Sequence, residues 1–592
     1  MPDPASFDHL RKLSPRRKTT RASDVDGLAD EQLAHFGIDR HSPFGQTLGR
    51  LARRLYEAHD DIEQLWVQTA GAVQKLDRSD RIAYFNAKKF LSFQLAKLLD
   101  NLQNPNRQSY QSLVYSPSTI SAKGPYSVFD NVTAIFSANP VIARTATYIY
   151  ACAEWIEDAF LGKELLLEIY SRLLNPTSIS LANQIVELEA GPYSHQYFAW
   201  NFNSGMAAID AVLSHLLGRD DIVITNRNIY GGAHQLLHDW YAKPSNLEIA
   251  VETFDGFGGM DLVKRWEAVK SKYTERLKSG REVYVYLESP SNPHGDVLDV
   301  PAICKEAHGR KWRVILDATV GTPFLCQPLQ RQDPTERPDF VIHAYTKDLS
   351  GSGSVIAGVA IGRNEDMFIP KGDTVNGIAW NETLFWNVYY VKGAFLNADA
   401  AFDVLQGLRT LEVRMLEKCI NTQILARFLA SHPGIHVNCN ALPSSPNHAL
   451  CQKHMFLGLP APLFTIDMGK LPRESFQRFF DNLSPTFGHM ISLGQPNTIV
   501  SCPALTTHSE LDAKALAEAG ITPTTIRFAV GDEDPRDLIA HLVGAAKLTI
   551  DPDVPGFSDA FPDVGEINEL IRACYLDTHR HYIESKTPDR PL

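Results

Sequence analysis

Thr346-Lys347 follows a strand candidate at 339–342 and precedes Ser350-Gly351-Ser352-Gly353. A lysine amine condenses with a carbonyl to a Schiff base when it is held at low solvent exposure beside its partner, and glycines let the backbone crowd a bound ring. Taken alone, a lysine in a flexible surface loop explains the same residues. Asp317 ends another apolar run, 313–316. A buried carboxylate there could pair with a protonated pyridine nitrogen and make the ring an electron sink; an aspartate capping a helix at a strand end is the plain alternative. Asn203-Ser204-Gly205-Met206-Ala207-Ala208 stands before a helical pattern, where backbone amides can hold a phosphate, although Ser-Gly helix starts are common. His234 and His238 have the i, i+4 spacing of metal ligands on a helix, but no third ligand is apparent, and surface or core histidines account for them.

Strand ends and helix starts must bring these groups together. From about residue 138 short β-rich runs alternate with longer helical segments, which predicts an α/β fold with a mostly parallel sheet. Strand candidates at 221–225, 282–287, 313–316 and 339–342 each end at a polar or Gly/Pro-rich turn, and ligands of such sheets gather at those carboxyl ends. Residues 395–429 read as long helices, and a smaller α+β region follows with strands near 462–468 and 525–530. The expected organisation is a helical N-terminal extension over 1–137, a large domain with an N-terminal arm over 138–410, a small C-terminal domain over 411–550, and a tail over 551–592 with one helix near 567–583. In the extension Leu48, Leu51, Leu55, Ile62 and Leu65 recur at helical steps. Phe90, Phe93, Leu95, Leu98 and Leu99 mark a second amphipathic helix behind the N-cap candidates Asp77, Ser79 and Asp80.

A net charge of -12 argues against a nucleic-acid surface, which needs a clustered positive field. The basic residues Arg11, Lys12, Arg16, Arg17, Lys18 and Arg21 read as a solvated tail rather than a targeting or nucleic-acid tag. No apolar run is long enough to span a bilayer, and Asp3 and Asp8 stand where a signal peptide needs a basic and then an apolar stretch. Eight cysteines lie far apart without a CxxC pair, so neither a zinc site nor a disulfide framework is expected, and a reducing cytoplasm fits best.

Further motifs join the first ones in a fixed order. They run from Pro140-Val141-Ile142-Ala143-Arg144-Thr145-Ala146-Thr147 through Tyr170-Ser171-Arg172, Asn175-Pro176-Thr177, Ser204-Gly205-Met206 and Tyr230-Gly231-Gly232. Glu288-Ser289-Pro290-Ser291-Asn292-Pro293, Asp317-Ala318-Thr319, Thr322-Pro323 and His343-Ala344-Tyr345-Thr346-Lys347 come next. Ser492-Leu493-Gly494, Pro503-Ala504, Thr507-His508 and Arg527-Phe528-Ala529-Val530-Gly531 complete the series. Together they resemble the Cys/Met-metabolism family of pyridoxal-phosphate enzymes, the trans-sulfuration enzymes that include methionine γ-lyase, cystathionine γ-synthase, cystathionine γ-lyase and the acyl-homoserine sulfhydrylases. The resemblance covers residues from about 138 to 550 and implies the type I, aspartate-aminotransferase-like fold.

The resemblance implies a role for each matching residue. Lys347 would carry pyridoxal 5'-phosphate and shuttle protons at the substrate. Asp317 would meet the pyridine nitrogen and Asn292 the ring hydroxyl. Ser204, Gly205, Met206 and Thr346 would bind the phosphate, with Tyr170 and Arg172 reaching it from a neighbouring subunit; a homo-oligomer follows, a dimer at least and by extension a tetramer. Tyr230 would stack on the ring and protonate a departing group. Arg527 would grip the carboxylate of a small amino-acid substrate, helped by Ser492.

Several positions depart from the family's pattern. Ala344 replaces the usual serine three residues before the lysine, Asp348 the usual aromatic after it, and Ala318 a common asparagine. Ile491 stands where cystathionine-cleaving relatives carry a glutamate, which favours a short, apolar or neutral substrate side chain, while Gly232 stands where many lyases have cysteine. The implied activity is γ-elimination from a γ-substituted L-amino acid. Three alternatives stay open: γ-replacement by a thiol or other nucleophile, a specialised elimination giving an unsaturated amino acid, and an inactive scaffold that keeps the fold. Intact Lys347, Asp317, Tyr230 and Arg527 argue against the last.

Overall fold

Continuous apolar runs such as Ile222–Asn226 and Val283–Glu288 are buried on both faces, the pattern of strands sandwiched between helices. A computed structural model describes residues 21–74, 139–148, 160, 169–469, 471–506, 516 and 520–586, in two compact units that divide after Ala138. The expected second helix of the extension, its capping residues 77–80, the basic residues 11–18 and the pair Thr507-His508 lie outside the described residues.

In the first unit, α1 (Val25–His35) is capped by Asp24, whose carboxylate accepts from the Gly27 amide, and packs on α2 (Pro43–Gln74). Leu28 and Tyr56 meet in its small core. Helix α1 was not expected from the sequence, and Leu51 of the predicted stripe is exposed while Ala52 and Tyr56 are buried.

The second unit holds a seven-stranded sheet of β1 (Tyr197–Phe202), β2 (Ile222–Asn226), β3 (Ala250–Phe254), β4 (Val283–Glu288), β5 (Arg313–Asp317), β6 (Phe340–His343) and β7 (Gly358–Arg363), in the order β1-β7-β6-β5-β4-β2-β3. Strands β2 to β6 run parallel, whereas β7 is antiparallel to both β1 and β6, so the sheet is mostly parallel, as expected, with one reversed strand. Helices α3 (Pro176–Ala190) and α4 (Gly205–Leu216) start at Asn175 and Ser204, whose side chains accept from backbone amides of the first turn. A hairpin of β8 (Thr374–Val375) and β9 (Ile378–Ala379) precedes α5 (Leu411–Ala430).

A second sheet of β10 (His436–Asn438), β11 (Leu463–Asp467), β12 (Gly488–His489), β13 (Ile499–Ser501) and β14 (Thr525–Ala529) has the order β10-β11-β14-β13-β12. After α6 (Pro535–Thr549), the tail helix α7 (Val564–Lys586) lies along α5, where Tyr575 and Tyr582 donate to Glu417 and Glu412 and Gln423 donates to Thr578 at 3.2 Å. Through Lys586 the tail is thus packed on α5. Among the described residues no helix is long and apolar enough to cross a membrane.

Candidate active site

Glu288, Asp317 and His343 are the last residues of β4, β5 and β6, so three neighbouring parallel strands end in buried polar groups. This is the edge at which α/β sheets bind ligands. The turn after β6 carries Lys347, and the first turn of α4 lies against that turn. A Cβ placed on Gly205 would sit 2.7 Å from the Cβ of Ala344. Only glycine allows this approach, and it brings the free amides at the α4 start to the floor of the cavity.

The cavity measures about 570 Å³, a volume that suits a cofactor together with a small substrate. Ser204, Gly205, Met206, Tyr230, Asn292, Asp317, Thr346, Lys347, Ser492 and Arg527 all line it. Tyr170 and Arg172 do not. Tyr170 is 43% exposed, and the Arg172 guanidinium donates to the Tyr390 carbonyl and lies 5.6 Å from the Tyr390 ring centre. His234 and His238 stack at 4.1 Å, and no group of three or more metal-ligating side chains exists among the described residues.

The Lys347 amine donates to the Ser492 hydroxyl at 3.0 Å. Burial and then the Arg527 charge hold this amine below the usual lysine range, against the pull of Asp348 and Asp317. The neutral, nucleophilic form is thereby favoured. Asp317 accepts from the Thr319 amide at 3.0 Å and hydroxyl at 2.6 Å, and the same hydroxyl accepts from the Ala344 amide at 2.8 Å. Thr319 therefore fixes Asp317 relative to the lysine turn. Burial raises the Asp317 carboxyl above its ordinary range despite these bonds.

Glu288, which sequence reasoning gave no role, sits in register with Asp317 on the adjacent strand. Its carboxylate accepts from the Tyr230 amide and, at 2.8 Å, from the Asn292 amide, so one buried side chain ties down two loops of the cavity. Burial first, and then the Asp317 charge, pushes Glu288 well above the carboxylate range. Its place at the end of an apolar run was the available signal. Two buried carboxyls side by side make the cavity floor ready for a cation, which the protonated ring nitrogen of a pyridine would supply.

Arg527 reaches across from β14. Its guanidinium donates to the Asn292 side chain at 3.1 Å and to the Ser492 carbonyl at 2.6 Å, while its buried Nε has no partner among the described residues. Ser204 and Thr346 hold less free donor capacity than their positions suggest. The Ser204 hydroxyl donates to the Asn203 side chain at 3.4 Å while accepting from the Ala207 amide at 3.1 Å, and the Thr346 hydroxyl donates to the Ala357 carbonyl at 3.2 Å while accepting from the Ala357 amide at 3.0 Å. A phosphate at this end meets chiefly backbone amides. The donor set fits pyridoxal phosphate: an amine, a carboxylate for the ring nitrogen, and a helix start that only glycine can bring close.

Comparison with known proteins agrees with this fit. The family described as Cys/Met metabolism PLP-dependent enzyme matches residues 129–547. The L-methionine gamma-lyase of Pseudomonas deceptionensis is 30% identical over 424 residues, 71% of this chain and 95% of that protein. The O-acetyl-L-homoserine sulfhydrylase of Corynebacterium glutamicum is 29% identical over 428 residues, 69% of this chain and 92% of its own. A Campylobacter jejuni structure, described as an O-acetylhomoserine (thiol)-lyase and containing N'-pyridoxyl-lysine-5'-monophosphate, superposes with a TM-score of 0.60 at 29% identity, covering 73% of this chain and all of that one. With a match across more than half of its length that contains both sheets and every residue lining the cavity, the chain belongs to the Cys/Met metabolism family of PLP-dependent enzymes, carbon–sulfur lyases and transferases.

Proposed function

We propose that the enzyme catalyses γ-elimination from a γ-substituted L-amino acid whose side chain is short and apolar or neutral. The observation that carries this reading is the wall beside Ser492: Ile491 and Ile356 both line the cavity and are 67% and 68% exposed. Exposed aliphatic surface on a cavity wall gains from contact with an apolar substituent and offers nothing to a charged one. The bound pyridoxal phosphate supplies the electron sink that lets protons leave carbons next to it.

The chain's own residues do the rest. Arg527 binds the substrate carboxylate, with Ser492 and Asn292 keeping the guanidinium in place. The Lys347 amine, held below the usual lysine range by burial and by Arg527, takes the proton from the substrate α carbon. Asp317 balances the ring charge and is oriented by Thr319. Tyr230, 42% exposed and anchored by its own amide to Glu288, presents its phenol to the departing group. Tyr170 and Arg172 stand outside this cavity, which supports a homo-oligomer in which they complete the phosphate site of a neighbouring copy.

The test is a panel of L-methionine, O-acetyl-L-homoserine with and without sulfide, L-cystathionine and a γ-halo amino acid. Release of 2-oxo acid from methionine, with cystathionine at least about tenfold slower in kcat/KM, is expected for an apolar wall. A new thioether or thiol amino acid without oxo acid would replace this reading by γ-replacement, and an unsaturated amino acid by the specialised elimination. Complete inactivity with intact cofactor binding would leave the scaffold reading.

A further inference from the structure

Asp348, next to Lys347, and Lys418 of α5 are both buried, with the amine 2.8 Å from one carboxylate oxygen. The same amine donates to the Gln495 carbonyl at 2.7 Å. Gln495 lies three residues beyond Ser492, and the intervening Gly494, at φ +79°, is so close to the lysine turn that a Cβ would meet the Asp348 amide nitrogen at 2.4 Å. Arg414, also on α5, donates to the Asp348 carbonyl at 2.9 Å. The contacts form a closed circuit: Lys347 amine to Ser492 hydroxyl, along the chain to Gln495, across to Lys418, on to Asp348 and back to Lys347.

We propose that the buried Asp348–Lys418 pair is a positioning device that locks the Ser492 segment onto the turn bearing Lys347. A buried ion pair seldom stabilises more than apolar residues of similar volume would, because both charges are desolvated. This one is imperfect even as a pair, since the second Asp348 carboxylate oxygen is buried without a partner among the described residues. What it provides is direction, because one ammonium with two short hydrogen bonds fixes two chain segments relative to each other, whereas apolar packing leaves them free to slide. The Ser492 carbonyl in turn holds Arg527, so slack in this segment reaches both the lysine and the carboxylate grip. The charged groups facing the lysine turn include Asp317 from β5, Arg527 from β14, and Lys418 and Arg414 from α5, with Asp532 acting on Arg414.

The inference rests on Lys347 being the cofactor-bearing residue, and the experiment separates the two. In the full-length enzyme loaded with pyridoxal phosphate, Lys418→Met is compared with Lys418→Met/Asp348→Val, which replaces the ion pair, without net charge, by an apolar pair of comparable volume. The single variant is expected to lose thermal stability and the double variant to regain most of it. The double variant should nevertheless show a KM for the best panel substrate raised about tenfold with a smaller change in kcat, and a pH midpoint of the visible cofactor band lowered by about half a unit, because the carboxylate beside Lys347 is gone. Asp348→Asn, which keeps the shape, should move the band midpoint the same way. Recovery of thermal stability together with wild-type KM and band midpoint would overturn the inference alone. Absence of any visible band in the wild-type enzyme would overturn the Lys347 reading, and this inference with it, before a variant is made.

Discussion

Lys347→Ala is expected to lose the visible absorbance of the bound cofactor and to lower turnover by about four orders of magnitude, the upper range for a group that moves the substrate proton. Stability should change little, by about 1 kcal/mol, since the side chain gives up one hydrogen bond to Ser492 while a buried amine is removed. Borohydride reduction of the wild-type enzyme followed by peptide mapping should place the pyridoxyl tag on Lys347; a tag on another peptide would refute the assignment. The prediction follows from environment as well as motif. Most described lysines with a carboxylate partner, such as Lys305 and Lys453, are exposed, whereas Lys347 is held low by burial and by Arg527.

The packing around that amine gives a second expectation. Gly494→Ala would drive a Cβ into the backbone of Asp348 and Lys347 in addition to forcing a side chain into the left-handed region. A loss of about 2–3 kcal/mol in denaturant unfolding is expected, together with weaker cofactor retention on dialysis. An unchanged midpoint would mean that the segment yields freely, contrary to the circuit that ties it down.

The parallel strands that carry the site were readable because each is an apolar run of strand length. The sequence boundaries of 282–287, 313–316 and 339–342 stopped one residue short at their carboxyl ends. The reason is instructive: Glu288, Asp317 and His343 are polar and look like the first loop residue, yet they pair within the sheet and are buried there. The residues that end a strand by composition are the ones whose burial makes a site. Strands β1 and β7 were not anticipated. Strand β7 begins and nearly ends in glycine, which weakens its strand signal; its partner β1 has the aromatic enrichment of a strand, four among six residues, but no apolar–polar alternation to mark it. Asp348 was visible as an unusual neighbour of Lys347, but its partner lies 70 residues away on a helix, and no local pattern could join the two. Thr346 shows the converse limit. Its position was readable, but the commitment of its hydroxyl to Ala357 depends on a loop closing back eleven residues later.

Arg527→Met should lower kcat/KM by roughly 100-fold or more, about 3 kcal/mol, with most of the change in KM. The side chain is almost completely buried, and burial lowers its pKa to about 10, so it keeps its charge through neutral pH while lacking a carboxylate among its hydrogen-bond partners. A desolvated cation held by the Asn292 side chain and the Ser492 carbonyl, with a spare buried Nε–H, has already met the cost of leaving water before an anion arrives. Such a charge strains the empty protein and favours the loaded one. Removing it should therefore leave thermal stability unchanged or higher even as substrate binding collapses, a combination that a salt-bridging structural arginine would not give. Arg527→Lys should recover little, because a single ammonium cannot span both anchors and still present two parallel donors to a carboxylate. A variant that unfolds at markedly lower temperature while keeping its KM would show instead that the guanidinium holds the Ser492 segment and leaves the carboxylate to another group.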